Sequence, residues 1–376
     1  MKMHMNMKKL KKIAKFGLKY AQGQWRVPIS EKTRWNIAVP VQVYWMVTRR
    51  CNFECQFCDV IRHPDNVREE LTPEEAVRFV HQMADMGIYK LGISGGEPLL
   101  RKKHILAAIR TANEHGIWTG LGTNASLLDE ENVVELAEAG VNHLSISLDG
   151  MEETQVYLRR NPKAWSGVVN ALRLVKEKTG GRMFAKLNYV LNNQNIDEIL
   201  PVVNFAGENG VSIVFVPYNT YNQGFIRTMT QVEIAEKDNL WVSAENQSKY
   251  EAIIDNLIWI KKKSPTAILN TVGHLRQVKT FFTNPKSNSS NACGSAYRNM
   301  HIDPLGNVIP CWTFTQSMGN VKTQTLKEIW YSQEYNKIRK AMLKCNLLCM
   351  GGCRMYPSIK DLVFDGTRMV RAKVFG

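Results

Sequence analysis

The sequence predicts an α/β fold: an incomplete (β/α)6 TIM barrel followed by a small, cysteine-rich α+β domain at the C-terminus. Six apolar, β-rich runs alternate with helical patterns between residues 41 and 217, which is typical of a parallel sheet with helical crossovers. Six units are too few for a closed eight-unit barrel. The eight cysteines fall into two clusters, and residues 59–292 between them contain none. A chain of 376 residues has room for two or three domains.

Each predicted strand is an apolar run of six to nine residues. The runs are VQVYWMVT (41–48), YKLGIS (89–94), IWTGLGT (117–123), VNHLSISL (141–148), RMFAKLNYV (182–190) and VSIVFVP (211–217). The first helix begins after Thr72, with Pro73 and Glu75 completing a capping-box pattern. The second covers residues 102–116, and the third begins after Asp129 as N-cap.

The rest of the chain is less regular. Residues 218–290 are predicted to be mainly helical, and residues 297–311 to form two short strands around a turn at 303–306. A further helix is expected over residues 325–343. The predicted organisation is a basic arm at 1–40, a barrel core at 41–225, a helical linker at 226–290 and the C-terminal domain at 291–376.

The composition predicts a packed globular protein, because 44% of residues are hydrophobic and 22% are charged. No run of about 18 apolar residues occurs, so a membrane-spanning helix is not expected. The N-terminus lacks the pattern of a secretory signal. We therefore expect a cytoplasmic protein in a reducing compartment, where clustered cysteines serve metal or redox chemistry rather than disulfides.

The basic charge is concentrated at the N-terminus. The formal net charge is +15, and residues 1–50 supply most of it, with Glu31 as their single acid. Within residues 1–26, apolar side chains recur at helical spacing among lysines. This basic amphipathic helix suits peripheral contact with an anionic inner membrane face, or an acidic partner. A solvated helix packing on the body is the alternative interpretation.

Three cysteines directly follow the first predicted strand, at the end of the barrel where chemistry is usually located. Cys51, Cys55 and Cys58 have the spacing C-x3-C-x2-C. A structural zinc site normally has four protein ligands, and only His63 is near enough in sequence to be the fourth. Three thiolates on a cubane iron–sulfur cluster would leave one iron free to bind a small molecule.

The segment CNFECQFC (51–58) resembles the C-x3-C-x-aromatic-C signature of the radical S-adenosylmethionine (radical SAM) superfamily, with Phe57 at the aromatic position. The resemblance implies that the three cysteines hold a [4Fe-4S] cluster that binds SAM. It also implies that an electron from a reductant such as flavodoxin or ferredoxin cleaves SAM to methionine and a 5′-deoxyadenosyl radical, which abstracts hydrogen from a substrate.

Other motifs at strand ends match the SAM-binding positions of this family. GGEP follows the second strand, and paired glycines allow close backbone approach to a ligand. GTNAS follows the third strand, with Ala125 where the family usually has Gly. Arg159 lies where the family pairs an arginine with the SAM carboxylate, although Arg160 is adjacent. The resemblance assigns SAM binding to Gly95, Gly96, Glu97, Pro98, Thr123, Asn124, Ser147, Asp149, Arg159 and Asn188.

The C-terminal cysteines resemble the auxiliary-cluster domains called SPASM and twitch. Cys293, Gly306 and Cys311 match their C-x12-G-x4-C pattern, and CNLLCMGGCR supplies Cys345, Cys349 and Cys353. Five cysteines cannot fully ligate two four-iron clusters. The resemblance implies one auxiliary cluster, a [4Fe-4S], held by Cys293, Cys311, Cys353 and either Cys345 or Cys349. Four thiolates also suit zinc.

The resemblance implies a radical SAM oxidoreductase that acts on a small molecule, lipid or sugar, with the auxiliary cluster assisting oxidation. The alternative is a maturase of ribosomally made peptides, which the absence of a separate leader-binding domain disfavours. A non-catalytic zinc module for nucleic acid is a rival from another class, and an electron-transfer protein is a third. Most of the charge lies in the arm, so no nucleic acid is expected. His81, His115 and His143 are expected to be structural.

Overall fold

The structure is a computed structural model that describes residues 26, 29–30, 32–33, 36–62, 65–219, 239–284, 293–314, 316–345 and 349. Most of the basic arm, His63 and Cys353 therefore lie outside the described residues. The strands are β1 (Gln42–Met46), β2 (Lys90–Ser94), β3 (Trp118–Thr123), β4 (His143–Ser147), β5 (Phe184–Leu191), β6 (Ser212–Pro217), β7 (Asn299–Ile302) and β8 (Val308–Ile309).

The α-helices pack outside this sheet and connect its strands. They are α1 (Pro73–Asp85), α2 (Lys102–Glu114), α3 (Glu130–Ala139), α4 (Glu152–Arg159), α5 (Ala164–Lys178), α6 (Ile199–Glu208), α7 (Gln247–Lys263), α8 (Val272–Thr283), α9 (Ser295–Arg298), α10 (Leu326–Tyr331) and α11 (Gln333–Met342). Short 3₁₀ helices cover Val60–Arg62, Val67–Glu69, Pro98–Arg101, Ile196–Glu198 and Ala244–Asn246.

The predicted fold class is confirmed. The sheet has the order β6-β5-β4-β3-β2-β1-β7-β8. From β1 to β6, each strand pairs in parallel with the next strand along the chain. Alternation along each strand decides which side chains face the helices. In β2, Leu91 and Ile93 are buried in the hydrophobic core with α1 and α2, whereas Lys90, Gly92 and Ser94 face the inside of the barrel.

Local sequence signals explain how the first helix begins and where it packs. The Thr72 hydroxyl accepts from the backbone N–H of Glu75 at 3.2 Å, and the Glu75 carboxylate accepts from that of Thr72 at 2.9 Å. This is the capping box that the sequence predicts. One turn on, Phe79 is fully buried and packs edge-on against Trp45 of β1, with ring centroids 5.3 Å apart.

The outer edge of β6 is covered by the segment between α7 and α8. The N–H of Ile213 donates to the carbonyl of Ala267 at 2.9 Å, and the N–H of Phe215 donates to the Asn270 side chain at 2.8 Å. These contacts satisfy backbone groups that an exposed edge strand would leave open to another chain. In the part of the chain that the structure describes, no helix is long and apolar enough to span a membrane.

The C-terminal hairpin joins the barrel sheet, although the sequence suggests a separate small domain. β7 pairs in parallel with β1, and β8 pairs antiparallel with β7. In the turn, the Asp303 carboxylate accepts from the N–H groups of Leu305 at 3.0 Å and Asn307 at 2.8 Å. The N–H of Leu71 donates to the Pro304 carbonyl at 2.8 Å. The hairpin is therefore fixed beside the loop that carries the first cysteine cluster.

Substitution of Gly306 by Ala tests this attachment. Gly306 has φ +87°, and a Cβ there would lie 2.9 Å from a methyl of Leu71. We expect Gly306→Ala to lower the free energy of unfolding by about 1–3 kcal/mol, because the left-handed backbone and the contact both oppose a side chain. Urea unfolding followed by circular dichroism measures the change.

Gly207 in α6 is the matched control, since a Cβ there would meet nothing within 4 Å. Gly207→Ala should leave the stability unchanged or raise it by up to about 1 kcal/mol. Equal stability of the Gly306→Ala protein and the wild type would contradict the role of this turn.

Candidate active site

A cavity of about 350 Å³ runs along the inside of the barrel to the carboxyl ends of the strands. We call it the chamber. Its lining combines cysteines, small residues and cations, and contains no Asp or Glu among the described residues. The lining residues are Tyr44, Cys51, Phe53, Cys55, Cys58, Lys90, Gly92, Ile93, Ser94, Gly95, Gly96, Gly120, Gly122, Thr123, Asn124, His143, Ser145, Ser147, Arg159, Lys186 and Asn188.

The loop after β1 carries the cysteine trio into the chamber. Its start is held by the Thr48 hydroxyl, which donates to the carboxylate of Glu70 at 2.6 Å. Phe53 is buried and lies between the first two cysteines in the chain. Cys51, Cys55 and Cys58 are each half-buried and all line the chamber, so the structure brings together the three residues that the spacing singled out.

The environment of the trio fits a bound metal cluster. Burial, together with the nearby charges of Glu97, Cys55 and Cys58, raises the pKa of the Cys51 thiol to about 11. Burial also raises the pKa of Cys58. Three thiolates this close together repel one another. Bound metal ions would supply the compensating positive charge and would keep the thiols deprotonated.

The three thiols line one cavity without a further cysteine beside them among the lining residues. A cubane cluster offers a separate iron to each thiolate, so its ligands need not converge on one point. The residues present therefore fit the iron–sulfur cluster that the spacing suggests.

Arg159 is the cation that faces the trio. Its Nε donates to the Asp149 carboxylate at 2.6 Å, and its Nη1 lies 3.7 Å from the sulfur of Cys55. The guanidinium carbon also lies 5.0 Å from the ring centroid of Phe57. Arg160 is not among the residues that line the chamber, and it caps the end of α4 in a left-handed conformation with φ 50°. The structure thus places Arg159, and not its neighbour, at the chamber.

Asp149 lies behind this arginine and does not line the chamber. It is fully buried, and its second oxygen accepts from the N–H of Val190 at 2.7 Å. Burial pushes the pKa of the Asp149 carboxyl upward while Arg159 pulls it downward. Burial would lower the pKa of Arg159, but Asp149 and Cys55 outweigh it and raise that pKa. We take both groups as charged, because guanidinium stays protonated in proteins.

The GGEP turn packs against the backbone that leads into the trio. The N–H of Gly96 donates to the Thr48 carbonyl at 2.7 Å, and that of Glu97 donates to the Arg50 carbonyl at 2.8 Å. A Cβ on Gly95, whose φ is +152°, would lie 2.5 Å from the Thr48 carbonyl oxygen. The turn therefore requires glycine, and both glycines line the chamber.

The Glu97 side chain is fully buried and does not line the chamber. It accepts from the Thr123 hydroxyl at 3.0 Å and from the N–H groups of Asn124 at 2.8 Å and Leu99 at 3.1 Å. Burial raises its pKa to about 7, although these hydrogen bonds act in the opposite direction. The carboxyl group ties the turn after β2 to the turn after β3. Pro98 is buried beside it.

The turn after β3 adds two polar groups beside the trio. Thr123 lines the chamber, and the side-chain N–H of Asn124 lies 3.7 Å from the sulfur of Cys51. Ala125 follows with φ 68°, a left-handed conformation that glycine adopts without strain. Ser147 and Asn188 are register partners in β4 and β5 and both face the chamber.

Sequence analysis missed a set of residues at the other end of the chamber. Lys90, His143 and Lys186 line it; the sequence predicts a structural role for His143 and singles out neither lysine. The available signal was the alternation within strands, since all three are polar residues on barrel-facing positions, whereas the motifs drew attention only to strand ends.

Three of the auxiliary cysteines, Cys293, Cys311 and Cys349, lie close enough for their charges to interact. Cys293 is buried, and Cys311, Cys345 and Cys349 are half-buried. Burial, together with the charges of Cys349 and Cys293, raises the pKa of Cys311 to about 12. The side chain of Asn219 donates to the sulfur of Cys349 at 3.4 Å. Cys353 lies outside the described residues.

An incomplete barrel with three thiols at one strand end and further grouped thiols beside the sheet defines an iron–sulfur enzyme. Comparison with known proteins supports this class. Residues 45–206 match the model of the radical SAM superfamily, and residues 293–354 match that of the SPASM iron–sulfur cluster-binding domain. The chain belongs to the radical SAM superfamily and has a C-terminal SPASM domain. SAM, a [4Fe-4S] cluster and an auxiliary iron–sulfur cluster are its cofactors.

Relatives in sequence come from Methanosarcina barkeri (strain Fusaro / DSM 804). An AdoMet-dependent heme synthase is 25% identical over 308 residues, which cover 80% of this chain and 85% of the relative. An Fe-coproporphyrin III synthase is 25% identical over 356 residues, covering 89% of this chain and 84% of the relative.

Solved structures share the fold. SuiB of Streptococcus suis bound to the precursor peptide SuiA has a TM-score of 0.62 at 20% identity, covering 86% of this chain and 73% of SuiB. The structure of anSMEcpe with bound AdoMet and the Kp18Cys peptide has a TM-score of 0.63 at 17% identity, covering 89% of this chain and 99% of that one. At these identities the likeness shows the fold alone.

Proposed function

We propose that this enzyme cleaves SAM reductively and abstracts hydrogen from a small molecule, lipid or sugar, acting as an oxidoreductase. The observation that carries the proposal is the chamber itself, in which three thiols, a glycine turn and a buried arginine face one cavity. When bound, the cluster supplies the electron that cleaves SAM to methionine and the 5′-deoxyadenosyl radical, which removes a hydrogen atom from the substrate.

Residues of this chain have separate roles in that proposal. Cys51, Cys55 and Cys58 hold the SAM cluster. Arg159 binds the SAM carboxylate, since it faces the trio and is already oriented by Asp149. The backbone of Gly95 and Gly96 borders the methionine portion, where no side chain obstructs it.

The other predicted contacts divide into two groups. Thr123, Asn124, Ser147 and Asn188 line the chamber and offer hydroxyl and amide groups to the nucleoside. Glu97, Pro98, Asp149 and Phe57 act from behind the lining, because each supports a residue or turn that faces the cofactor.

The substrate proposal favours a small molecule over a peptide. The two relatives named for making heme and Fe-coproporphyrin III match over 80% and 89% of this chain. The peptide alternative is supported by the fold shared with SuiB, which has a precursor peptide bound, although this chain covers only 73% of that protein.

The auxiliary cluster is proposed to rest on Cys293, Cys311, Cys349 and Cys353, with Cys345 left over. The charges of Cys349 and Cys293 act on Cys311, which supports these three as ligands of one cluster. This cluster would assist oxidation of the substrate. Flavodoxin or ferredoxin is the proposed reductant.

Substitution of single cysteines tests this assignment. We expect wild-type protein reconstituted without oxygen to hold about eight irons in two four-iron clusters and to form 5′-deoxyadenosine from SAM and dithionite. Cys55→Ala should lose about half of the iron and all 5′-deoxyadenosine formation, because the SAM cluster loses a ligand. Iron analysis and chromatography measure both quantities.

Cys345→Ala is the matched control and should keep the iron and the activity of the wild type. Zinc in place of iron, or wild-type protein that forms no 5′-deoxyadenosine, would contradict the proposed function.

The neighbouring arginines provide a second test. We expect Arg159→Lys to weaken SAM binding by about tenfold to a hundredfold, because lysine cannot reproduce the paired hydrogen bonds of guanidinium. Arg160→Lys should bind SAM as the wild type does, since Arg160 is not part of the chamber. Equilibrium dialysis with reconstituted protein measures the affinity. Equal weakening in the two variants would refute the role of Arg159.

The basic arm is proposed to bring the enzyme to an anionic membrane surface. Its support is the lysine-rich amphipathic pattern of residues 1–26. Full-length protein should float with vesicles that contain phosphatidylserine, and protein lacking residues 1–26 should not. Flotation of both proteins, or of neither, would rule out this role of the arm.

A further inference from the structure

Two lysines and a histidine form a group of nitrogen-bearing side chains inside the barrel. Lys90 is the first residue of β2, His143 is the first of β4, and Lys186 is the third of β5. All three side chains line the chamber. The charge of Lys186 acts on Lys90, and the charges of both lysines act on His143. Strands that are distant in sequence thus bring three nitrogen groups close together. We call them the lysine site.

No acid of the described chain neutralises this site. The chamber lining contains no carboxylate, and no Asp or Glu contributes to the electrostatic environment of either lysine. Enclosure without a counter-ion lowers the pKa of Lys90 to about 8 and also lowers the pKa of Lys186. Burying unpaired ammonium groups is costly. An anion that enters the chamber would offset that cost.

The lysine site is separate from the cluster end of the chamber. Lys90 and His143 are the first residues of their strands, whereas the trio follows the carboxyl end of β1, where Arg159 contributes to the environment of Cys58. The guanidinium of Arg159, which can bind the SAM carboxylate, is therefore already present at the trio. The lysine site is available to another molecule in the same cavity, and in the proposed function that molecule is the substrate.

The histidine adds a directed donor. The Trp118 indole N–H lies 3.2 Å from Nδ1 of His143, and indole can only donate. Nδ1 is therefore the acceptor, and the proton of a neutral imidazole resides on Nε2. Phe184 stacks on this imidazole at 5.4 Å and 16°, and Gly120 leaves room for the ring. The ring is thus held in place beside the two lysines.

The position within the barrel favours a carboxylate over a phosphate. Phosphates in α/β proteins are usually held by glycine loops and helix N-termini at the carboxyl ends of the strands. Lys90 and His143 begin their strands at the opposite end of the barrel. The backbone groups at that end are used in pairing between neighbouring strands. Side-chain ammonium and imidazole groups are the donors there, and two ammonium groups match the two oxygens of a carboxylate.

We propose that Lys90 and Lys186, together with Nε2 of His143, bind a carboxylate of the substrate inside the barrel. The inference rests on the proposed function, because it takes this carboxylate to be part of the molecule from which hydrogen is removed. It places the anionic end of the substrate away from the cysteine trio. The carbon that loses hydrogen then lies between the carboxylate and the SAM end of the chamber.

Acetic anhydride labelling tests the site on the wild-type holoenzyme with SAM bound. Mass spectrometry of peptides reports acetylation at Lys90 and Lys186, with and without propionate. Propionamide has nearly the same shape without the charge, and inorganic phosphate is the competing anion. We expect propionate at twice its dissociation constant to lower labelling of both lysines by about threefold, whereas propionamide and phosphate leave it unchanged. Lys103, exposed on α2, should show no protection.

Variants test whether the two lysines share one anion. In Lys186→Met, propionate should protect Lys90 less than in the wild type. In the control Lys103→Met, protection of Lys90 should equal that of the wild type. No protection by propionate, equal protection by propionamide, or stronger protection by phosphate would each overturn the proposal.

The labelling result does not depend on radical chemistry, since it measures binding alone. Formation of 5′-deoxyadenosine by the wild type is the separate test of the proposed function. Protection without SAM cleavage would refute the proposed function while leaving a carboxylate site, and SAM cleavage without protection would refute the site alone.

Discussion

The buried ion pair between Asp149 and Arg159 joins the parts of the molecule that must meet at the chamber. Asp149 follows β4, accepts a backbone hydrogen bond from β5 and holds the guanidinium that ends α4. That guanidinium then faces the sulfur of Cys55, which lies in the loop after β1. Breaking a buried pair typically costs about 3–5 kcal/mol, because it leaves one charge without a partner. The pair therefore fixes the cluster loop relative to strands on the far side of the barrel.

Small residues decide how much space this framework encloses. Gly92 faces the ring of Tyr44, and Gly120 faces that of His143, at distances where any Cβ would collide. Gly122 lines the chamber on the same strand as Gly120. A barrel of this type with large side chains at these positions would be a filled core. The rings of Tyr44 and His143 occupy the space beside Gly92 and Gly120, and the cavity of about 350 Å³ that remains can accept a cofactor and a second molecule.

Charge within the chamber is divided between its two ends. Thiols and Arg159 are at the carboxyl end of the strands, whereas Lys90 and Lys186 belong to the barrel wall. Solvent screens charges poorly inside such a cavity, so each charged group has a strong influence on what binds nearby. A substrate with one anionic end would consequently enter in a single orientation. The fixed anionic end would then set the position of the reacting carbon, and the rest of the substrate would need fewer contacts with the protein.

The sequence by itself determined the fold class, the cysteine trio and the turns at the strand ends. These features are recognisable from residues that are neighbours in the chain, such as the capping box at Thr72 and the glycine turn at Gly95. The close approach of the Thr48 carbonyl, which requires glycine at position 95, comes from the tertiary structure. Tertiary structure decided that Arg159 rather than Arg160 faces the trio, that Glu97 is turned inward, and that the C-terminal hairpin joins the barrel sheet. It also decided that Lys90, His143 and Lys186 share one cavity. Their proximity arises from the register of parallel strands far apart in sequence, and no local pattern encodes that register.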